Sequence, residues 1–142
     1  MTLWVVKIGT SLLRGDTASI IEGYASGFAA AMARGDQVVL VTSGAVGLGC
    51  QKLAMTTRPE TVVALQAAAA IGQGVLMALY ERAMARHGCA VAQVLLTRSD
   101  LADRRRYQNA SGTLRQLLSW GVLPVINEND ALSPAELRFG DN

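Results

Sequence analysis

Four short polar stretches in this chain hold the residue types that anion chemistry requires, and each directly follows an apolar run. They are Lys7 with Gly9-Thr10-Ser11, then Thr42-Ser43-Gly44-Ala45-Val46-Gly47, then Thr97-Arg98-Ser99-Asp100, and last Asn127-Glu128-Asn129-Asp130. Lys7 is one of two lysines and sits inside the apolar run Leu3-Trp4-Val5-Val6-Lys7-Ile8. Burying an unpaired ammonium is costly, so this cation is expected to emerge at the end of a strand, facing a negative group. Bare backbone N–H groups at glycines that open a helix approach phosphate or carboxylate closely, which gives Gly9-Thr10 and Ser43-Gly44-Ala45 a role as an anion cradle. The same serines and glycines also serve as ordinary turns and caps. Asn127 to Asp130 puts two amides and two carboxylates directly after a buried strand, a dense cluster for a mere solvated loop.

The elements that position these stretches follow from glycine punctuation. Arg34-Gly35, His87-Gly88 and Trp120-Gly121 each close a helix-like segment just before an apolar strand, because glycine past a helix end takes the left-handed conformation cheaply. The resulting order is strand 3–8, helix 17–34, strand 37–42, helices across 45–86, strand 90–96, helix 104–120 and strand 122–127. Strands alternating with long crossovers predict an α/β domain with a mainly parallel sheet covered by helices on both faces. In such a sheet all four polar exits share one edge, where ligands bind.

Composition narrows the classes. With 142 residues, 51% hydrophobic and 17% charged, one core of domain size is expected. Thirteen basic and eleven acidic residues are too balanced for a nucleic-acid or membrane surface. Cys50 and Cys89 lack metal spacing and are expected as free buried thiols in a reducing cytosol. The first strand begins almost at Met1, with no leader expected before it, which also points to the cytoplasm. Thr61 to Tyr80 carries no charge, the length of a membrane span, yet its alanines, glycines and glutamines favour a helix packed closely on another, a dimer interface being one place for that. His87 reads as a helix-end residue, Arg104-Arg105-Arg106 as an exposed turn, and Met77 and Met84 as packing. There is no GxxxxGK[ST], and Lys52 stands where Gly47-Leu48-Gly49 would need a third glycine for a dinucleotide fingerprint.

Six segments, in order along the whole chain, closely resemble the amino acid kinase family. They are Val5-Val6-Lys7-Ile8-Gly9-Thr10-Ser11, Val41-Thr42-Ser43-Gly44-Ala45-Val46, Ile71-Gly72-Gln73, Leu96-Thr97-Arg98, Val125-Ile126-Asn127-Glu128-Asn129-Asp130 and Phe139-Gly140-Asp141-Asn142. Their combination is most similar to the branch that takes glutamate as acceptor. The resemblance implies a three-layer fold and ATP-dependent phosphorylation of the γ-carboxylate of L-glutamate with Mg2+, giving L-glutamyl 5-phosphate in the first step of proline biosynthesis. It implies that Lys7 is catalytic, that Lys7, Gly9 and Thr10 bind ATP phosphates, and that Ser43, Gly44, Ala45, Asp130, Asp141 and Asn142 bind substrate, with no protein metal site.

The resemblance further implies that residues 1–142 are the N-terminal, substrate-binding part of a truncated kinase domain. The nucleotide-binding part, a second phosphate-stabilising lysine and any PUA domain would lie beyond Asn142. A homo-oligomer, dimer or tetramer, is expected, with glutamyl phosphate reductase as a partner and neither nucleic acid nor membrane. Two other readings remain: a family member acting on carbamate, acetylglutamate or uridylate, and a non-catalytic module that binds glutamate or proline.

Overall fold

The computed structural model describes residues 1–13 and 15–132. Four strands form one parallel sheet: β1 (Leu3–Ile8), β2 (Gln37–Thr42), β3 (Val91–Leu96) and β4 (Leu123–Glu128), in the order β1-β2-β4-β3. Among the described residues five α-helices connect them: α1 (Thr17–Ala33), α2 (Ala45–Lys52), α3 (Val62–Ala85), the short α4 (Arg98–Ala102) and α5 (Arg104–Ser119). Strand bounds agree with expectation to within a residue. Gly35, Gly88 and Gly121 take φ of +86°, +69° and +70°, as helix stops require.

The strand order decides which face each helix covers. Parallel crossovers are right-handed, so β1-α1-β2 and β2-α3-β3, which both advance across the sheet, place α1 and α3 on one face. The connection β3-α5-β4 runs back and puts α5 on the other. The first face holds the main core, in which Ile8, Val38, Leu40, Leu123 and Val125 meet Ile21 and Phe28 of α1 and Leu76, Tyr80 and Met84 of α3.

Coverage of both faces, expected from the pattern, holds only in part. Among the described residues one crossover lies on the second face, over β4, two strands away from β1, and α5 has no fully buried residue. Leu3 and Val5 are therefore 54% and 66% exposed, and Lys7, next in the same alternation, is exposed with them. Among the described residues β1 is also an edge strand, with no strand paired to its outer side. The cysteines differ slightly from expectation: both are free, but half-buried rather than buried.

α3 is long and apolar enough to cross a membrane by length and composition. Its makeup has a packing reason as well. A Cβ at Gly72 would overlap the Ala45 carbonyl oxygen, and one at Gly49 would overlap that of Ala68. The small residues thus let α2 and α3 touch backbone to backbone, so the close helix contact read from the sequence lies within the chain. Met77 and Met84 pack as expected. Gly72→Ala is expected to destabilise the fold by about 2 kcal/mol, since backbone atoms cannot move aside. Gly74→Ala, where a Cβ meets open space, should stabilise by about 0.5–1 kcal/mol through helix propensity. Urea midpoints of the two variants check this, and shifts of the same sign would contradict it.

Candidate active site

All four strands end at one edge, and pairing brings their exits into line. Ile8 pairs with Thr42, Val41 with Ile126, and Leu96 with Glu128. Beyond β1 the backbone passes Gly9 into a single 3-10 turn, Thr10–Leu13. Beyond β2 it passes Ser43 and Gly44 into α2. The two turns touch, with the Thr10 and Ser43 hydroxyl oxygens 2.9 Å apart.

Gly44 carries the sharp strand-to-helix turn at φ +101°, a left-handed conformation that disfavours side chains. As the N-cap of α2 it offers no side-chain hydrogen bond to the helix. The first amides of α2 consequently point out of the sheet edge without an intrahelical acceptor, carrying the partial positive charge of the helix N-terminus. A Cβ at Gly9 would also meet open space, so the backbone there is approachable. Below the turn, the Thr42 hydroxyl lies 2.9 Å from the buried Tyr80 hydroxyl and anchors the end of β2 to α3. Burial pushes the Tyr80 phenol above its ordinary range, and the Thr42 bond offsets part of that.

The third exit is occupied by its own structure. Thr97 caps α4, its backbone N–H donates to the Asp100 carboxylate at 2.7 Å, and Arg106 lies 3.4 Å from Asp100. Hydrogen bonds from the Thr97 side chain and backbone, joined by the nearby Arg106 charge, hold the Asp100 carboxyl below the usual range. This stretch, read from the sequence as part of the polar edge, is a helix cap satisfied by its own residues. Arg104, Arg105 and Arg106 form the exposed first turn of α5, as expected.

The fourth exit divides into two parts. Asn127 is buried and spends its amide internally: its Nδ2 donates to Gln73 Oε1 at 2.8 Å, and its Oδ1 accepts from the Glu128 amide at 2.9 Å. Asn129 and Asp130 instead line a cavity of about 360 Å³, together with Ala45, Gln73, Gln93 and Glu128. That volume suits a small polar molecule. A cavity of about 340 Å³ at the opposite edge, lined by Met32, His87 and Cys89 among others, receives none of the strand exits.

Of the expected site residues, Ala45 and Asp130 line the cavity at the strand exits, and Ser43 and Gly44 directly precede Ala45. Gly9 and Thr10 join them through the hydroxyl contact. Lys7 stands at the same edge, one residue before the end of β1, but on the α5 face, whereas the cavity opens on the α3 face. With strands ~4.8 Å apart, β1 and β4 are roughly 10 Å from each other here, so one ligand reaching both must lie across β2. Asp141 and Asn142 lie outside the described residues. Gln73 and Gln93 were not anticipated as site residues; Gln73 occurs within the Ile71-Gly72-Gln73 signature, but nothing in the sequence marks Gln93.

The amino acid kinase family profile matches residues 2–142. The chain is 89% identical over 142 residues to a glutamate 5-kinase of Synechococcus sp. (strain CC9605), covering all of this chain and 40% of that protein. It is 69% identical over 146 residues to a glutamate 5-kinase of Prochlorococcus marinus (strain MIT 9313), again 40% of the relative's length. Among solved structures, carbamate kinase from Giardia lamblia bound to AMP-PNP superposes with a TM-score of 0.55 at 15% identity, over 90% of this chain and 60% of that one, a likeness of fold alone. The chain thus spans about 40% of the length of the curated relatives it matches.

Proposed function

The chain belongs to the amino acid kinase family, and from that premise we propose that it forms the acceptor-binding part of an enzyme that transfers the γ-phosphoryl group of ATP to the γ-carboxylate of L-glutamate. The product is L-glutamyl 5-phosphate, which feeds proline biosynthesis. The contact between Thr10 and Ser43 carries the reading, because it joins a turn suited to the donor's phosphates to a turn suited to the acceptor's carboxylate. High identity to glutamate 5-kinases supports glutamate as that acceptor.

Phosphoryl transfer needs little covalent help from the protein; it needs the reacting oxygens in line and the moving negative charge compensated. Lys7 supplies a full positive charge at the β1 exit, while the Gly9 and Thr10 amides and the free amides of α2 supply directed N–H groups. Ser43, Gly44 and Ala45 donate to carboxylate oxygens from the β2 exit. Asp130, across the cavity, accepts from the substrate ammonium, with Asp141 and the Asn142 carbonyl as further acceptors. Among the described residues no three of His, Cys, Asp and Glu converge to cage a metal. Mg2+ in this scheme accompanies the phosphates of ATP and neutralises their charge, as it commonly does in kinases. The nucleotide-binding part, by this reading, is supplied by sequence beyond residue 142, in keeping with the greater length of the relatives. The assembled enzyme is a cytoplasmic homo-oligomer that hands its labile product to glutamyl phosphate reductase.

Two substitutions in the full-length enzyme test the assignment. Lys7→Ala is expected to lower kcat by at least about a hundredfold, the scale for removing a transition-state charge stabiliser, and a loss below threefold would contradict its role. Asp130→Ala should raise the KM for glutamate at least tenfold while leaving that for ATP within twofold. Equal rises in both would mean that the acceptor pocket lies elsewhere.

A further inference from the structure

Three side-chain amides run in series, from buried Asn127 to Gln73 and Gln93 in the cavity wall, and their polarity is set at one end. The Glu128 backbone N–H can only donate, so the group facing it at 2.9 Å must be the Asn127 carbonyl oxygen. Asn127 must then turn its NH2 toward Gln73, which meets it with Oε1 at 2.8 Å. Gln73 in turn directs its own NH2 to Gln93 Oε1 at 2.9 Å. Each orientation follows from the one before, so the usual ambiguity of amide assignment is removed by a group that cannot reverse. The series leaves the Gln93 NH2 as its terminal donor. Gln93 is exposed and lines the same cavity as Asp130, and among the described residues no protein group accepts from that NH2.

We propose that Gln93 is a binding residue for the acceptor's α-carboxylate and that Gln73 is the positioning residue that keeps its NH2 presented. The proposal rests on the glutamate reading above and adds the group that recognises the end of the substrate remote from transfer. Strand order supports the assignment of ends. Phosphoryl-binding groups gather at the β1 and β2 exits, Asp130 follows β4, and Gln93 lies on β3 at the far side. A glutamate whose γ-carboxylate sits at Ser43 and whose ammonium meets Asp130 turns its remaining carboxylate toward β3. A neutral donor suits that place, since a cation there would compete with the substrate ammonium for Asp130.

The test uses Gln93→Leu, Gln73→Leu and the double variant in the full-length enzyme, with glutamate and ATP varied separately. Gln93→Leu is expected to raise the KM for glutamate about tenfold to a hundredfold, the usual effect of losing a hydrogen bond to a charged group. The KM for ATP should stay within twofold and kcat within about threefold. Gln73→Leu should raise the glutamate KM as well, and the double variant should be no worse than Gln93→Leu alone, because Gln73 acts through Gln93. A merely structural Gln73 would give additive losses and move both substrates together. Gln93→Glu covers the case in which leucine perturbs the sheet edge: it keeps the shape, repels a carboxylate, and should raise the glutamate KM further. A glutamate KM within twofold of wild type in both Gln93 variants overturns the proposal. A wild-type enzyme that transfers no phosphoryl group to glutamate overturns instead the reading beneath it.

Discussion

The candidate site depends on the parallel pairing of β1 with β2, which brings two glycine-containing turns so close that the Thr10 and Ser43 hydroxyls touch at 2.9 Å. Neither turn alone is more than a cap or a bend. Joined, they set approachable amides of the β1 exit beside the uncapped N-terminus of α2, and phosphate and carboxylate can be held at one place only if both sets of donors converge. Each flank of this junction is fixed independently. Tyr80 holds the end of β2 from below through Thr42, and the backbone contact between α2 and α3 at Gly72 and Gly49 fixes the direction of the helix that starts at this junction.

Charge is sparing here. One exposed lysine stands at the edge, Glu128 and Asp130 line the cavity at the end of β4, and hydroxyls and amides supply most of the remaining polar groups. Such neutral donors need less compensation than buried ions, which makes a polar pocket compatible with a small core. The amide series from Glu128 through Asn127 and Gln73 to Gln93 shows the same economy. It gives the buried asparagine a partner at both its NH2 and its carbonyl oxygen and leaves the last donor of the series at the cavity.

Much of this was legible in the chain. Glycine after Arg34, His87 and Trp120 marked three helix ends, and alternation of strand and helix gave the parallel sheet, because both signals are local. The β1, β2 and β4 exits were readable as one polar edge for the same reason. What could not be read is non-local. Thr97 and Asp100 looked like a third site stretch, and only the geometry of α4 shows that they satisfy each other. Lys7 was placed at the edge, but its face depends on strand order, which also leaves Leu3 and Val5 uncovered. Gln73 and Gln93 sit in the middle of a helix and a strand, 20 residues apart, where composition gives no reason to pair them.

The most direct measurement of the account is a double-mutant cycle on the junction itself, with Thr10→Val and Ser43→Ala made singly and together in the full-length enzyme and kcat/KM followed for phosphoryl transfer to glutamate. If the two hydroxyls act as one unit, each single change costs about tenfold and the pair costs little more than either, a coupling of about 1 kcal/mol or above. Losses that multiply to within twofold of full additivity would show that the two turns work separately, and would contradict a site built on their contact.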